Sequence, residues 1–344
     1  MSDAFHDFLQ RLGDARPPQL AYDDACDVPA WQARLREKVR ELLGPVPDRV
    51  AAEAECVETV EQPDHVRQLL MIPVSAISRV PAYLLLPRDL APGERRAGVI
   101  VLHGHGKHGI DQMAGVRLGD KPDAADRCYA LNAVRAGHVV ITPCWWGWDQ
   151  RDGHVELARG QDKCNKIQIA ANMYGLNVLA LHMQDAAAAI DVLLARPEVD
   201  PARVGCLGHS YGGRTTMWLS ILDNRIKAVV AGGCMNTFRE RSLKLASCGV
   251  QYPFGILRYA DVPELLSLIA PRPLQLQAGE QDPLINERDR EHIRATVGRV
   301  YERLGVADRF EYHQQPGGHI LDWPAAEQFL QRRLAPGPAA AMQG

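Results

Sequence analysis

Residues 208–212 read Gly-His-Ser-Tyr-Gly, with a further glycine at 213, directly after the short apolar run Val204-Gly-Cys-Leu207. A serine between glycines at a junction of strand and helix is a candidate nucleophile. The chain must turn there so sharply that the serine takes a strained backbone conformation and its neighbours are crowded. The pentapeptide alone recurs by chance, but its surroundings support the reading. A buried strand precedes it, and Thr215 to Leu222 has the composition of the helix that should follow. A serine that only capped a helix would not need glycine on both sides.

A hydroxyl is a poor nucleophile until a base takes its proton and a carboxylate orients that base. Both partners are found downstream. The strand-like run Pro273-Leu-Gln-Leu-Gln-Ala leads into Gly279-Glu-Gln-Asp-Pro283, which places Asp282 in a turn; the run Arg309-Phe-Glu-Tyr-His leads to Gly317-Gly-His-Ile320, which places His319 in a glycine-flanked loop. Glu280 is the rival acid, and the Asp-Pro turn favours Asp282. His313 is assigned to the strand before the loop. In this reading neutral His319 removes the Ser210 proton and Asp282 steadies the imidazolium, so turnover falls when acid protonates the base.

The tetrahedral intermediate of acyl transfer needs N–H donors for its oxyanion. Tyr211, the residue after the nucleophile, supplies one through its backbone. The second belongs in a glycine-rich loop after an earlier strand, and Ala97–His103 followed by Gly104-His-Gly-Lys-His-Gly109 fits, making the amide of His105 that donor. The loop also spells Gly-x-Gly-x-x-Gly. However, residues 110–122 lack the apolar helix that should receive a pyrophosphate, and no acid closes a second strand about 20 residues on. His103, His105 and His108 raise the possibility of a metal, but no Asp, Glu or Cys spacing around them completes a ligand set, and His103 ends an apolar strand. No metal and no other cofactor is expected.

Elements capable of holding these groups alternate along the chain. Trp31, Leu35, Val39 and Leu42 recur at helical spacing before Gly44-Pro45, and residues 52–62, 66–73 and 79–87 read as strands of an antiparallel edge. From residue 97 strands at 97–103, 138–143, 203–207, 227–232, 273–278 and 308–313 alternate with helices near 124–136, 176–196 and 323–334. In the second of these helices Leu179, Met183, Ala187, Ile190 and Leu194 share one face. The alternation requires a mostly parallel α/β sheet with helices on both faces. The predicted organisation is a helical extension over 1–50, one α/β domain over 51–334 with an insertion at 235–268 that roofs the site, and a frayed tail at 335–344.

A chain of 344 residues can bury a sizeable core, and a net charge of −3 gives no bias toward nucleic acid or anionic membranes. No apolar run reaches the roughly 18 residues that span a bilayer, and the N-terminus lacks a basic region followed by an apolar stretch. Eight cysteines without paired spacing fit free thiols in a reducing compartment. A cytoplasmic enzyme is therefore expected, with no nucleic-acid or membrane partner and an undetermined number of subunits.

Arg79-Val-Pro-Ala-Tyr-Leu-Leu-Leu-Pro, Leu102-His-Gly-His-Gly, Arg196-Pro-Glu-Val-Asp-Pro-Ala-Arg-Val-Gly-Cys-Leu-Gly-His-Ser-Tyr-Gly-Gly and Ile269-Ala-Pro-Arg-Pro-Leu together resemble the acetyl-xylan-esterase and dienelactone-hydrolase-like branch of the α/β-hydrolases, over roughly residues 65–334. The resemblance implies the α/β-hydrolase fold and cofactor-free hydrolysis of small carboxylic esters through an acyl-enzyme, with Ser210, Asp282 and His319 at the triad positions. A peptidase or amidase on the same triad is the nearest alternative, and a metal-dependent hydrolase on the His103/His105/His108 loop a more distant one. The chain departs from many relatives after Pro143, where Cys144-Trp-Trp-Gly-Trp148 replaces an Asp-x-Arg-Gly run. Trp145 and Trp146 lie where ligands of such sheets bind and either wall the substrate or pack the loop, while Trp148 is expected to pack. Arg239 and Arg241 either attract an anionic substrate or are solvated charges.

Overall fold

The computed structural model describes residues 4–152, 163–244 and 248–336. Nine strands form one sheet: β1 (Glu55–Glu61), β2 (His65–Ser75), β3 (Ser78–Pro87), β4 (Arg96–Leu102), β5 (Val139–Pro143), β6 (Val199–His209), β7 (Ala228–Gly232), β8 (Leu274–Gly279) and β9 (Phe310–Gln315). Their spatial order is β1-β2-β3-β5-β4-β6-β7-β8-β9. The first three strands join antiparallel and pair antiparallel with β5; every other pairing is parallel. The α/β sheet with an antiparallel edge is thus the predicted one, and the fold is that of the α/β-hydrolases.

The central strands are short apolar runs because helices cover both of their faces. β4, β5 and β7 have almost no solvent-facing position. Alternate strand residues feed two cores: Ile100, Cys206, Val229 and Leu276 on one side, Val99, Leu207 and Val230 on the other.

Two helices depart from expectation. Val178–Leu194 is buried almost all round instead of on one stripe, with Ala187 and Leu194 only half-buried, while His182, Asp185 and Ala186 are enclosed. The region near 124–136 breaks into a short 3₁₀ turn, Ala125–Arg127, and a helix, Tyr129–Arg135, at Cys128. In the N-terminal extension, Asp27 caps the helix Val28–Leu43 by accepting from the Ala30 amide at 3.0 Å, and Trp31, Leu35, Val39 and Leu43 are buried in the core with Leu42 half-buried against it.

The parallel register aligns the strand ends that matter. Leu102 lies opposite Gly208, His209 opposite Gly232, and Gly232 opposite Gln277. The loops after β4, β6, β7 and β8 therefore leave the sheet along one rim, the carboxyl edge at which open α/β sheets bind ligands.

Candidate active site

Ser210 joins β6 to the helix Tyr211–Leu222 with φ +62° and ψ −120°. Asp149 is the other non-glycine residue with positive φ among the described residues. Such a conformation costs energy and persists only where the surroundings enforce it. Here the Ser210 amide donates to Gly232 O at 2.8 Å, while its carbonyl accepts from the Arg214 amide at 3.1 Å. A Cβ at Gly208 would lie 2.3 Å from Gly212 O, and one at Gly212 would lie 2.0 Å from Leu102 O. The flanking glycines are therefore imposed by close backbone approach.

His319 Nδ1 stands 2.6 Å from Asp282 Oδ2. The Asp282 carboxylate is buried, and its other oxygen accepts from the Leu284 amide at 2.9 Å. The opposite ring nitrogen, His319 Nε2, is buried and has no hydrogen-bond partner, so no hydrogen bond joins it to Ser210, although both residues line one cavity. Glu280 is exposed and accepts from Gln314 at 3.3 Å, away from the imidazole. His313 lies in β9 and pairs with Asp322 at 2.7 Å.

The His319 loop has supports that the linear order did not suggest. Arg127 donates to His319 O at 3.0 Å, and the Leu321 amide donates to the Tyr129 hydroxyl at 3.3 Å. Nothing in the spacing of residues 127–129 connects them to a loop almost two hundred positions later.

The loop after β4 crosses the elbow closely: a Cβ at Gly104 would lie 2.9 Å from His209 O. The amides of Tyr211 and His105 donate no hydrogen bond among the described residues, which leaves both available to an oxyanion. Tryptophans hold this loop in place. Trp145 Nε1 donates to His103 O at 3.1 Å, and Trp148 Nε1 donates to Gly106 O at 3.0 Å. The Trp145 amide donates to His103 Nε2 at 3.1 Å, so the ring proton of His103 is on Nδ1, which donates to Gly104 O at 2.9 Å. Burial pushes His103 down to about 3, keeping it neutral.

An aromatic substrate wall of Trp145 and Trp146 is not what the structure builds. Trp145 is fully buried, neither residue lines the cavity, and Trp146 lies beneath the Arg151 guanidinium at 3.4 Å from its ring centre. Arg151 itself pairs with buried Asp185, which fixes this stack inside the protein. The Trp146 amide donates to His182 Nε2 at 3.2 Å, and His182 Nδ1 then donates to the Tyr211 hydroxyl at 2.7 Å. These groups position the elbow from behind.

The cavity has a volume of about 730 Å³ and contains Ser210, Tyr211, His105 and His319. Lys107, Lys121, Arg127, Arg214 and Arg241 also line it, with Asp120 as the acidic contributor. Arg214 is buried; it donates to Asn236, and its Nη1 has no hydrogen-bond partner. From the 235–268 region, Asn236, Arg241, Cys248 and Gln251 reach the cavity, whereas Arg239 turns away to pair with Asp14.

The three loop histidines do not gather around one point. His103 is turned inward, His105 Nε2 meets Cys248 Sγ at 3.0 Å, and His108 precedes the short helix Gly109–Met113. Sequence reasoning passed over His209, Arg127, Arg214 and the cysteines near His105, because no local pattern marks them.

Comparison with known proteins agrees with this architecture. The profile of the Dienelactone hydrolase family matches residues 110–303. A Bacillus subtilis (strain 168) protein named "Putative hydrolase YtaP" is 26% identical over 314 residues, covering 88% of this chain and 100% of that protein. Among solved structures, a Bacteroides fragilis protein described as a "putative acetyl xylan esterase" superposes with a TM-score of 0.75 at 16% identity, covering 98% of this chain and 91% of that one. A glucuronoyl esterase from Solibacter usitatus gives 0.66 at 20% identity, covering 92% and 97%. The chain belongs to the dienelactone hydrolase family and is a carboxylic ester hydrolase of α/β-hydrolase fold.

Proposed function

We propose that Ser210 is the nucleophile of an acyl-enzyme mechanism, with His319 as general base and Asp282 as its orienting carboxylate. The observation that carries this reading is the 2.6 Å contact between His319 Nδ1 and Asp282, which leaves Nε2 without a partner in the cavity that also holds Ser210 at its strained turn. The imidazole takes the hydroxyl proton as the serine oxygen attacks the ester carbonyl. Asp282 stabilises the imidazolium, and the amides of Tyr211 and His105 receive the oxyanion. His319 then protonates the departing alcohol, and water repeats the sequence to free the acid. The Ser210 hydroxyl reaches Nε2 on substrate binding, as catalytic hydrogen bonds often form only then.

Lys107 and Arg127 pair with Asp120 and Asp123, and the further positive charge of Lys121 and the buried Arg214 on the cavity wall favours esters that carry a negative charge. The eight cysteines form no disulfide among the described residues, which fits a reducing compartment and supports a cytoplasmic location. The test is labelling by a fluorophosphonate together with ester turnover. Wild type reacts stoichiometrically, and Ser210→Ala neither labels nor turns over while keeping its thermal transition. Comparing an ester with its matched amide separates esterase from amidase, and turnover surviving in the alanine variant refutes the assignment.

A further inference from the structure

The imidazole of His105 meets two thiols that come from distant parts of the chain. Its Nε2 and the sulfurs of Cys164 and Cys248 all lie within 4.8 Å of one another, and the Nε2 to Cys248 Sγ distance is 3.0 Å. We propose that these three side chains form a binding site for a thiophilic divalent cation of the zinc type on the wall of the active-site cavity.

The distances suit such an ion. Zinc takes thiolate sulfur at about 2.3 Å and imidazole nitrogen at about 2.0 Å, so a tetrahedral centre needs sulfur–sulfur separations near 3.8 Å and nitrogen–sulfur separations of about 3.5 Å. Rotamer adjustments of a few tenths of an ångström to an ångström reach these values from the observed triangle. Two sulfurs and one imidazole select soft and borderline ions over magnesium or calcium.

The surroundings hold the ligands in place. Gln251 Nε2 contacts Cys248 Sγ at 3.4 Å, and the Gly249 amide donates to Asn165 Oδ1, which ties the segment of Cys248 to the helix of Cys164. Tyr211 and Trp148 flank the His105 ring at 4.8 and 5.6 Å between centroids. Both thiols are buried and His105 is exposed, while His105 and Cys248 line the cavity, so an ion would enter from the cavity and keep a fourth position toward it. On binding, whatever protons the His105–Cys164–Cys248 cluster still holds on its ligand atoms pass to solvent and no electrons are transferred. The site is independent of Ser210 chemistry, but it lies on the side chain whose backbone amide faces the oxyanion position.

The test is a cobalt(II) titration of the reduced full chain, freed of metal and reductant under inert gas. One equivalent should produce the near-ultraviolet thiolate-to-cobalt charge-transfer band and the visible bands of tetrahedral cobalt, and one equivalent of zinc should erase both. Cys164→Ser and Cys248→Ser should each abolish the charge-transfer band of the one-equivalent complex. His105→Ala, which removes an exposed side chain and keeps the fold if the cysteine variants do not, should weaken binding by at least about 10-fold. Ser210→Ala should bind cobalt like wild type, so failure of the nucleophile assignment leaves this test intact. Absence of the band in the reduced wild type, its persistence in a Cys164→Ser/Cys248→Ser double variant, or unchanged affinity in His105→Ala overturns the proposal.

Discussion

The imidazole of His209, the residue before the proposed nucleophile, lies 4.5 Å from that of His319, centroid to centroid and tilted by 53°. The contact exists because residue 233 is glycine: a Cβ there would stand 2.5 Å from His209 Nε2 and 3.0 Å from His319 Cε1, at a backbone φ of +63°. Burial holds His209 well below the usual histidine range, so it is an uncharged wall beside the proposed base. His209→Ala removes that wall. Misplacement of a catalytic group by about 1 Å costs on the order of 10²-fold, so kcat should fall 10- to 100-fold with little change in KM. Steady-state kinetics on one ester measures this, and an unaltered kcat would remove His209 from the positioning role.

Arg127 acts on His319 through the backbone. Its guanidinium is held by Asp123 and donates to the His319 carbonyl, fixing the loop rather than the ring. Arg127→Met should slow fluorophosphonate labelling of Ser210 by about 10-fold or more, because the base then samples more positions. Arg127→Lys can restore the single N–H···O bond and should recover part of the rate. Equal labelling rates in all three proteins would show that the loop needs no such anchor.

Much of the architecture could be read from the sequence because its signals are local. Gly208 to Gly212, Asp282 before a proline and His319 among glycines each follow a strand, and the parallel register brings those strand ends to one rim. The elements that differ are set by tertiary contacts. Val178–Leu194 is buried on more than one face because it packs on the sheet and also against the helices Lys163–Met173 and Tyr211–Leu222. Trp145 looked like a ligand contact by position, but its N–H finds the His103 carbonyl, so its area packs the loop. His105, Cys164 and Cys248 are separated by 59 and 84 positions along the chain, at which metal-ligand spacing rules carry no signal.

Buried histidines make the protein acid-sensitive. Burial lowers His103 to about 3 and His138 to about 4, and lowers His182 and His209 well below their ordinary value. An unfolded chain protonates each near pH 6.5, so it binds more protons than the fold as pH drops, and each histidine's contribution is lost from about pH 6.5 downward. The loss reaches about 2 kcal/mol per residue at pH 5. Asp149, Asp185 and Asp261, each raised to about 6 chiefly by burial, act in the opposite sense, since the fold takes up their protons below pH 6. A paired comparison therefore isolates one histidine. His138 Nε2 has no partner to lose, and His138→Phe should gain about 2 kcal/mol relative to wild type between pH 7.5 and pH 5 in urea unfolding. A constant difference across that range would mean that His138 takes up its proton in the folded state.

Arg214 lines the cavity as a buried cation with an unpartnered N–H. It is buried, its Nη2 is occupied by Asn236, its guanidinium lies 4.9 Å over the Phe238 ring, and its Nη1 is unpartnered. A buried guanidinium N–H without an acceptor forfeits a charge-assisted hydrogen bond that an incoming carboxylate would restore. For an ester bearing a carboxylate and its neutral isostere, wild type should prefer the charged substrate in kcat/KM. Arg214→Gln should reduce that preference by about 10-fold or more, the equivalent of one charge-assisted hydrogen bond at about 1.5–3 kcal/mol. The ratio is the informative quantity, because any loss of folded enzyme or disturbance of the elbow lowers both rates together and cancels. Added salt should reduce the wild-type preference less than it would for an exposed pair, since a buried contact is weakly screened. If the ratio is the same in Arg214→Gln and wild type, the cavity's positive charge acts through Lys107, Lys121, Arg127 or Arg241, or does not select substrate at all.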